Sequence, residues 1–360
     1  MASSGDAIFN LRSSIFNLPS SAKYIKGVIV EKLLLTVACG DYDRTHALQT
    51  GAVEAEGIRL NYVPLEAEEI FWRMGHHQEF DASEMSLSNH ITATSRGDTP
   101  FVAIPVFPSR FFRHSCVFIN TNSGIKNPAD FKGKRIGAPE YSITAAVWIR
   151  GFLKDDYGVR AQDVHWFVGG QEDPGRKERV KLNLPPEIKL DAIADDKTLN
   201  GMLEKGEIDA LISARSPSCF VKGAPQVKRL FPNYKDVEID YYKRTKIFPI
   251  MHVLVIRKAV YEAHPWVARS LLKAFTEAKD LAIRNLNFPT NTLSCTLPWL
   301  PWEREQLNEI FGPDWWPYGI EANRDVLEHL IRYMGEQGLL ARMLKVEEVF
   351  APNVVGEFKI

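Results

Sequence analysis

Cysteine is scarce in this chain, with four in 360 residues. The four (Cys39, Cys116, Cys219, Cys295) lie far apart and form no CxxC pair. That spacing excludes a zinc ribbon and a thioredoxin-type redox site, and free thiols of a reducing compartment are the simplest reading. An excess of one charge is missing too. Lys plus Arg total 44 against 45 Asp plus Glu, a net charge of −1, so the basic surplus of a dedicated nucleic-acid binder is absent. No apolar run approaches the ~18 residues of a membrane span. No HExxH and no facial-triad spacing marks a metal site. The first residues show no apolar core of ~7–15 positions before a small-residue cleavage site, so no secretory signal is read and a cytoplasmic location is expected.

What is present is ordinary in bulk: 45% hydrophobic and 25% charged residues, as in soluble globular proteins. The length points to two domains. Residues 1–32 are serine-rich and carry a tandem repeat, IFNLRSS (8–14) then IFNLPSS (15–21); they read as a flexible arm. From residue 33 strands and helices alternate. Strands are expected at 33–39, 58–64, 80–85, 101–106 and 116–120, then at 135–138, 164–168, 208–213 and 250–256. Helices are expected at 45–55, 66–75, 88–96, 142–152, 198–205, 266–285, 303–311 and 323–337. Residues 169–188, rich in Gly, Pro and charge, read as a surface loop.

This alternation argues α/β with a largely parallel sheet. A first unit (33–112) is followed by a second (113–248). The remaining tail (249–360) is too short for a third domain and is expected to return to the first. Two segments then cross between the lobes, near 108–116 and 244–250. A cleft between lobes is where small ligands bind.

Two crossing segments joining two α/β lobes resemble the type II periplasmic-binding-protein-like fold. Specific words narrow this further: Gly40-Asp41-Tyr42-Asp43-Arg44-Thr45, Glu69-Ile70-Phe71-Trp72-Arg73-Met74 and Glu79-Phe80-Asp81-Ala82-Ser83-Glu84-Met85-Ser86-Leu87-Ser88. Further along stand Phe107-Pro108-Ser109-Arg110-Phe111-Phe112-Arg113-His114-Ser115 and Gly137-Ala138-Pro139-Glu140-Tyr141. Over roughly residues 33 to 350 the chain resembles the 4,5-dihydroxyphthalate decarboxylase family. The resemblance implies loss of one carboxylate from 4,5-dihydroxyphthalate, giving protocatechuate and CO2.

Direct loss of CO2 from an aromatic ring leaves an aryl carbanion. Protonating the carbon that bears the carboxylate first is easier, and a hydroxyl para to that carbon stabilises the intermediate. Such a site needs cations for the carboxylates, an acid near the ring and an acceptor for the phenol proton. Arginine matches a carboxylate bidentately. Arg110 and Arg113 sit at the first crossing, and Arg44 and Arg215 follow strands whose carboxyl ends face the cleft. Any one of these read alone also fits a surface ion pair. His114, beside the crossing arginines, is the favoured acid. His252, a second catalytic candidate, lies in the returning strand and faces either cleft or core, and His46 is a binding candidate.

Asp43 and Glu84 are the catalytic carboxylates of this reading, with Asp41 and Ser86 on the substrate; turn and capping roles explain the aspartates equally. Glu140-Tyr141-Ser142 opens a helix. Free backbone N–H groups there make an anion site, with Tyr141 against the aromatic ring, while Ser142 also reads as a plain N-cap. Trp315-Trp316-Pro317-Tyr318 reads as tail packing.

No cofactor is expected, although carboxylates and histidines from separate loops converging on a divalent ion would be another way to hold a catechol. The expected partner is an aromatic dicarboxylate, in a homo-oligomer, with neither nucleic acid nor membrane. A solute-binding or sensor protein for an aromatic acid, and a decarboxylase of a related hydroxybenzoate, are the alternatives.

Overall fold

The computed structural model describes residues 31–287, 292–293 and 295–356. The serine-rich repeat lies outside the described residues.

The first sheet grows from β1 (Leu33–Cys39), whose LLLTVAC run is buried at Leu35 and from Val37 to Cys39 while Leu34 stays exposed. β2 (Ile58–Pro64) pairs with it in parallel, from Leu33 opposite Ile58 to Cys39 opposite Pro64. β3 (Ala82–Ser86) and β4 (Phe101–Ile104) follow. Between them run α1 (Asp43–Gln49), α2 (Ala67–His77) and α3 (Leu87–Arg96).

The second sheet has the order β10-β5-β9-β6-β7-β8. Its strands are β5 (Val117–Asn120), β6 (Arg135–Ala138), β7 (His165–Val168), β8 (Lys189–Ala192), β9 (Ala210–Ile212) and β10 (Val227–Arg229). Its helices are α4 (Thr144–Tyr157), α5 (Leu199–Lys205), α6 (Ser218–Val221) and α7 (Tyr234–Thr245).

The chain then returns. β11 (His252–Arg257) inserts antiparallel between β3 and β4, giving the order β2-β1-β3-β11-β4. Its register sets His252 opposite Ser86 and Leu254 opposite Glu84. Because strand side chains alternate, Glu84, Ser86 and His252 share one face.

After α8 (Lys258–Ala263), α9 (Trp266–Asn287) packs on α1 and buries Val267, Ala268, Leu271, Ala274, Phe275 and Ala278, an apolar stripe at helical spacing. α10 (Leu300–Phe311) and α11 (Arg324–Glu336) close the chain. The tail does not return wholly to the first unit. α9 does, but α11 lies against α4 of the second unit. Tyr333 meets Trp148 edge-on, and its hydroxyl donates to Asp155 Oδ2 at 2.7 Å. Gly151 makes this possible, since a Cβ there would stand 2.2 Å from the Tyr333 ring. No helix among the described residues is long and apolar enough to cross a membrane.

Most expected elements form, with boundaries shifted by a few residues. The helix expected at 142 starts at Thr144 and runs on to Tyr157. β8, β10, α6, α7 and α8 have no counterpart in the sequence reading. The short strands carry too few apolar positions, and α7 buries only Tyr241.

Candidate active site

Two segments, around residues 109–111 and 249–251, run side by side between the lobes. The Phe111 N–H donates to Pro249 O (3.1 Å) and the Met251 N–H to Ser109 O (2.8 Å), so the strands of the hinge run side by side. Beside them a cavity of about 610 Å³ separates the sheets. Ser86, Asn89, Phe71, Glu68 and His252 line it from one lobe; Glu140, Ile143, Thr144, Arg179 and Arg215 line it from the other, with Arg113 at the hinge.

Glu84 lies just behind this cavity and is fully buried. A carboxylate there requires partners. The Gly40 N–H and the Tyr42 hydroxyl each donate to it at 2.9 Å, Cys39 Sγ lies at 3.4 Å, and His252 Nδ1 at 2.5 Å. Burial pushes the Glu84 carboxyl up, but His252, the Gly40 N–H and the Tyr42 hydroxyl outweigh it and hold the group below its ordinary value. Burial, then the charge of Glu84, pushes the Tyr42 hydroxyl and the Cys39 thiol well above theirs, so both stay neutral donors.

An ionised Glu84 makes His252 Nδ1 the donor. The other ring nitrogen, Nε2, has no protein partner among the described residues. His252 borders the cavity with its side chain 19% exposed and Phe71 edge-on at 4.9 Å. The imidazole is oriented from behind and free in front.

Arg113 is buried at the hinge. Its Nε faces Met251 Sδ at 3.2 Å and its Nη1 donates to Ala214 O at 3.0 Å. It has no carboxylate partner among the described residues, so its charge is open to a ligand. The other cleft arginines are ion-paired, three of them sharing two carboxylates. Arg176 binds Glu68 (3.2 Å) across the cleft and Glu140 (2.6 Å). Arg215 binds Glu68 (2.8 Å), and Arg179 binds Glu140 (3.2 Å).

Hydroxyls close the floor. Thr144 Oγ1 lies 3.0 Å from Ser86 Oγ and 2.9 Å from Ser88 Oγ, and Ser88 Oγ donates to Ser142 O at 2.6 Å. The starts of α3 and α4, one from each lobe, therefore meet at the cavity. Just before α4, the Glu178 carboxylate accepts from the Tyr141 N–H (2.7 Å), the Ser142 N–H (2.9 Å) and Ser142 Oγ.

No family model matches the chain. A 4,5-dihydroxyphthalate decarboxylase of Comamonas testosteroni is 41% identical over 331 residues, covering 92% of this chain and all of the relative. A 4,5-dihydroxyphthalate decarboxylase of Pseudomonas putida is 43% identical over 216 residues, covering 60% of this chain and 84% of the relative. This chain belongs to the 4,5-dihydroxyphthalate decarboxylase family. Among solved structures, the periplasmic aliphatic sulphonate binding protein of Escherichia coli superposes with a TM-score of 0.50 at 12% identity, over 90% of this chain and 99% of that one. At that identity it speaks for the fold alone: two α/β lobes with a cleft between them.

In this member of the decarboxylase family, Glu84, Ser86, His252, Arg113 and Arg215 gather at the cleft. The structure places the other expected residues elsewhere. His114 is stacked on Phe152 at 4.1 Å, with Phe231 and Tyr241 edge-on; neither ring nitrogen has a hydrogen-bond partner among the described residues, and the Glu238 carboxyl of α7 stands 3.9 Å from Nδ1. Burial, then Arg244, pushes it down to about 4, so it is a neutral core residue away from the cavity. Arg44 is held between the Tyr42 and Trp316 rings and donates to Pro108 O at 2.6 Å. Arg110 spends its guanidinium on Phe248 O, Pro317 O and Asn323 Oδ1, tying the tail to the hinge.

Asp41, Asp43 and His46 are exposed and outside the cavity lining. Tyr141 is buried under Arg150 (3.9 Å) with its hydroxyl on Gln337 O (3.1 Å), so it is not a ring-stacking wall. The N–H groups of Tyr141 and Ser142, expected to be free, are already taken by Glu178.

Sequence reasoning passed over Glu68, Asn89, Thr144, Arg176, Glu178 and Arg179. Glu178 and the two arginines beside it lie in the segment read as a solvated loop. The only available signal was the alternation Arg176-Lys177-Glu178-Arg179, which solvated loops share.

Proposed function

We propose that this chain removes CO2 from 4,5-dihydroxyphthalate without oxidation, giving 3,4-dihydroxybenzoate. One observation carries the reading: His252, held from behind by the buried and ionised Glu84, faces a cavity that also contains a buried arginine without a carboxylate partner.

Arg113 takes one substrate carboxylate. His252 gives its Nε2 proton to the ring carbon bearing the other. The hydroxyl para to that carbon feeds electron density into the ring. The bond to the carboxylate then breaks, its electron pair restores the aromatic ring, and CO2 leaves. A dianion plus one proton becomes a monoanion plus CO2, and His252 is reprotonated from solvent. Glu84 offsets the positive charge of the imidazolium and fixes its direction. Asn89 Oδ1, buried and without a partner, is available to a ring hydroxyl.

The reading uses no organic cofactor. Among the described residues, no three His, Cys, Asp or Glu side chains are grouped to hold a metal ion.

The test mixes purified protein with 4,5-dihydroxyphthalate, with and without a chelator, and follows CO2 and 3,4-dihydroxybenzoate. Equal release of both products in both samples is expected. Product only without chelator would bring in a metal ion. No product, with a saturable thermal shift, would favour a binding protein.

A further inference from the structure

The proposed substrate carries two carboxylates, and among the described residues the cleft has one arginine, Arg113, in no ion pair with a carboxylate. The second carboxylate needs another seat. The best donor set near the cavity is the Tyr141 N–H, the Ser142 N–H and the Ser142 hydroxyl, and all three converge on Glu178. Glu140, Ile143 and Thr144, on either side of this seat in the chain, line the cavity, as does Arg179 next to Glu178. Ser142 is fully buried beneath the Glu178 carboxylate.

Resting on that dicarboxylate reading, we infer that Glu178 is a specificity residue: an internal carboxylate that fills the second substrate-carboxylate seat and must be displaced by a diacid.

The seat suits one carboxylate, because its donors are two N–H groups and one O–H. A monoacid satisfied by Arg113 leaves Glu178 in place. A vicinal diacid exchanges its second carboxylate for that of Glu178. Burial, with the charge of Glu140 adding to it, pushes the Glu178 carboxyl above its ordinary range despite the three donors, so its hold is weaker than its hydrogen bonds suggest. The segment that carries it has no helix or strand between Gly169 and Ile188, so few backbone bonds oppose its withdrawal.

Exchange is coupled to the lobes. Arg176, two positions away, bridges Glu68 and Glu140 across the cleft, so moving Glu178 out strains that latch. Decarboxylation turns a diacid into a monoacid. Whichever carboxylate is lost, the product has one fewer group to hold two positions, and Glu178 competes for the seat as product leaves.

The experiment uses phthalate, a vicinal diacid without the activating hydroxyls, and benzoate, its monoacid counterpart. Their affinities are measured calorimetrically on wild type and on Glu178→Ala. Phthalate should bind about tenfold tighter to the variant, the loss of one charged competitor, with benzoate changed by less than roughly twofold. Glu178→Gln, nearly isosteric, should act in the same direction if the alanine variant folds poorly.

In wild type, saturating phthalate should speed amide hydrogen exchange across 170–188, and benzoate should not. Equal effects on both ligands, or no effect of phthalate on that segment, would overturn the inference. Neither probe is consumed, so these readings hold whether or not wild type releases CO2 from 4,5-dihydroxyphthalate. Absence of that turnover would overturn the proposed function separately.

Discussion

Replacing Glu84 with glutamine removes one negative charge from behind His252 and changes little else in volume. The carboxylate serves the Gly40 N–H, the Tyr42 hydroxyl and His252 Nδ1. A glutamine has one acceptor oxygen, and its NH2 must face one of these donors. The His252 link, at 2.5 Å, is charge-assisted and contributes ~1.5–3 kcal/mol. Glu84 does not border the cavity, so its loss should appear in turnover rather than in grip. Turnover should fall by about 10–150-fold, with KM altered by less than roughly threefold.

A structural role alone would also lower activity, so the deciding assay is a double-mutant cycle. Initial rates of CO2 release are compared for wild type, Glu84→Gln, His252→Gln and the double variant, with thermal unfolding as a control for folding. If Glu84 acts through His252, adding Glu84→Gln to His252→Gln costs almost nothing further. Turnover of Glu84→Gln within twofold of wild type, or penalties that simply add, would refute the reasoning.

Arg113→Ala should raise KM about 10–100-fold, the loss of a charged bidentate hold, and Arg113→Lys should recover part of it; an unchanged KM in steady-state kinetics would end the assignment. Arg215, with its side chain 61% exposed and paired with Glu68, should give a much smaller effect on replacement by alanine. Glu238 and His114 predict a specific pH profile of stability. Burial pushes Glu238 from 4.5 up to about 7. Its contribution is therefore fully present below 4.5 and is lost as pH rises through 7. His114 is pushed from 6.5 down to about 4. Its neutral burial is fully favourable above 6.5 and is lost as pH falls through 4.

Between 4.5 and 6.5 the unfolded chain carries the proton on His114 and the folded chain carries it on Glu238, so this pair adds no slope there. Urea midpoints should lose their decline above pH 6.5 in Glu238→Gln, and their decline below 4.5 in His114→Phe. Unaltered slopes in both variants would refute this pairing.

Much of the first sheet was legible because its rules are local. Leu33-Leu34-Leu35-Thr36-Val37-Ala38-Cys39 is a strand by composition, and Gly40 stops it. Glu84 is a charge between Ser83 and Met85 in a strand, which needs a reason. The reason was not legible, since its partner is 168 positions away, and only the insertion of β11 between β3 and β4 decides that His252 faces the cleft. Position along the chain puts Arg110 and Arg113 together near the first crossing. It could not say which guanidinium meets three oxygen acceptors and which borders the cavity. Residues 169–188 have no periodicity to read, so the carboxylate that fills the seat before α4 could not be told from a solvated one.

The ionised Glu84 also bears on why a binding fold is used for chemistry. A receptor for a dianion gains affinity from every cation facing the ligand and loses it to any negative charge behind them. Glu84 is such a charge, in a low-dielectric setting where it is poorly screened. Holding it there also costs desolvation, which the donors from Gly40, Tyr42 and His252 offset. For affinity alone, a neutral residue at this position would serve better. The arrangement makes sense if the proton on His252 is used: the carboxylate keeps the imidazole oriented, and the dianion gives up a charge in the same event that consumes the proton. In the proposed mechanism, ground-state attraction is given up at the one point where a directed proton is needed, while Arg113, in no ion pair with a carboxylate among the described residues, would supply the grip.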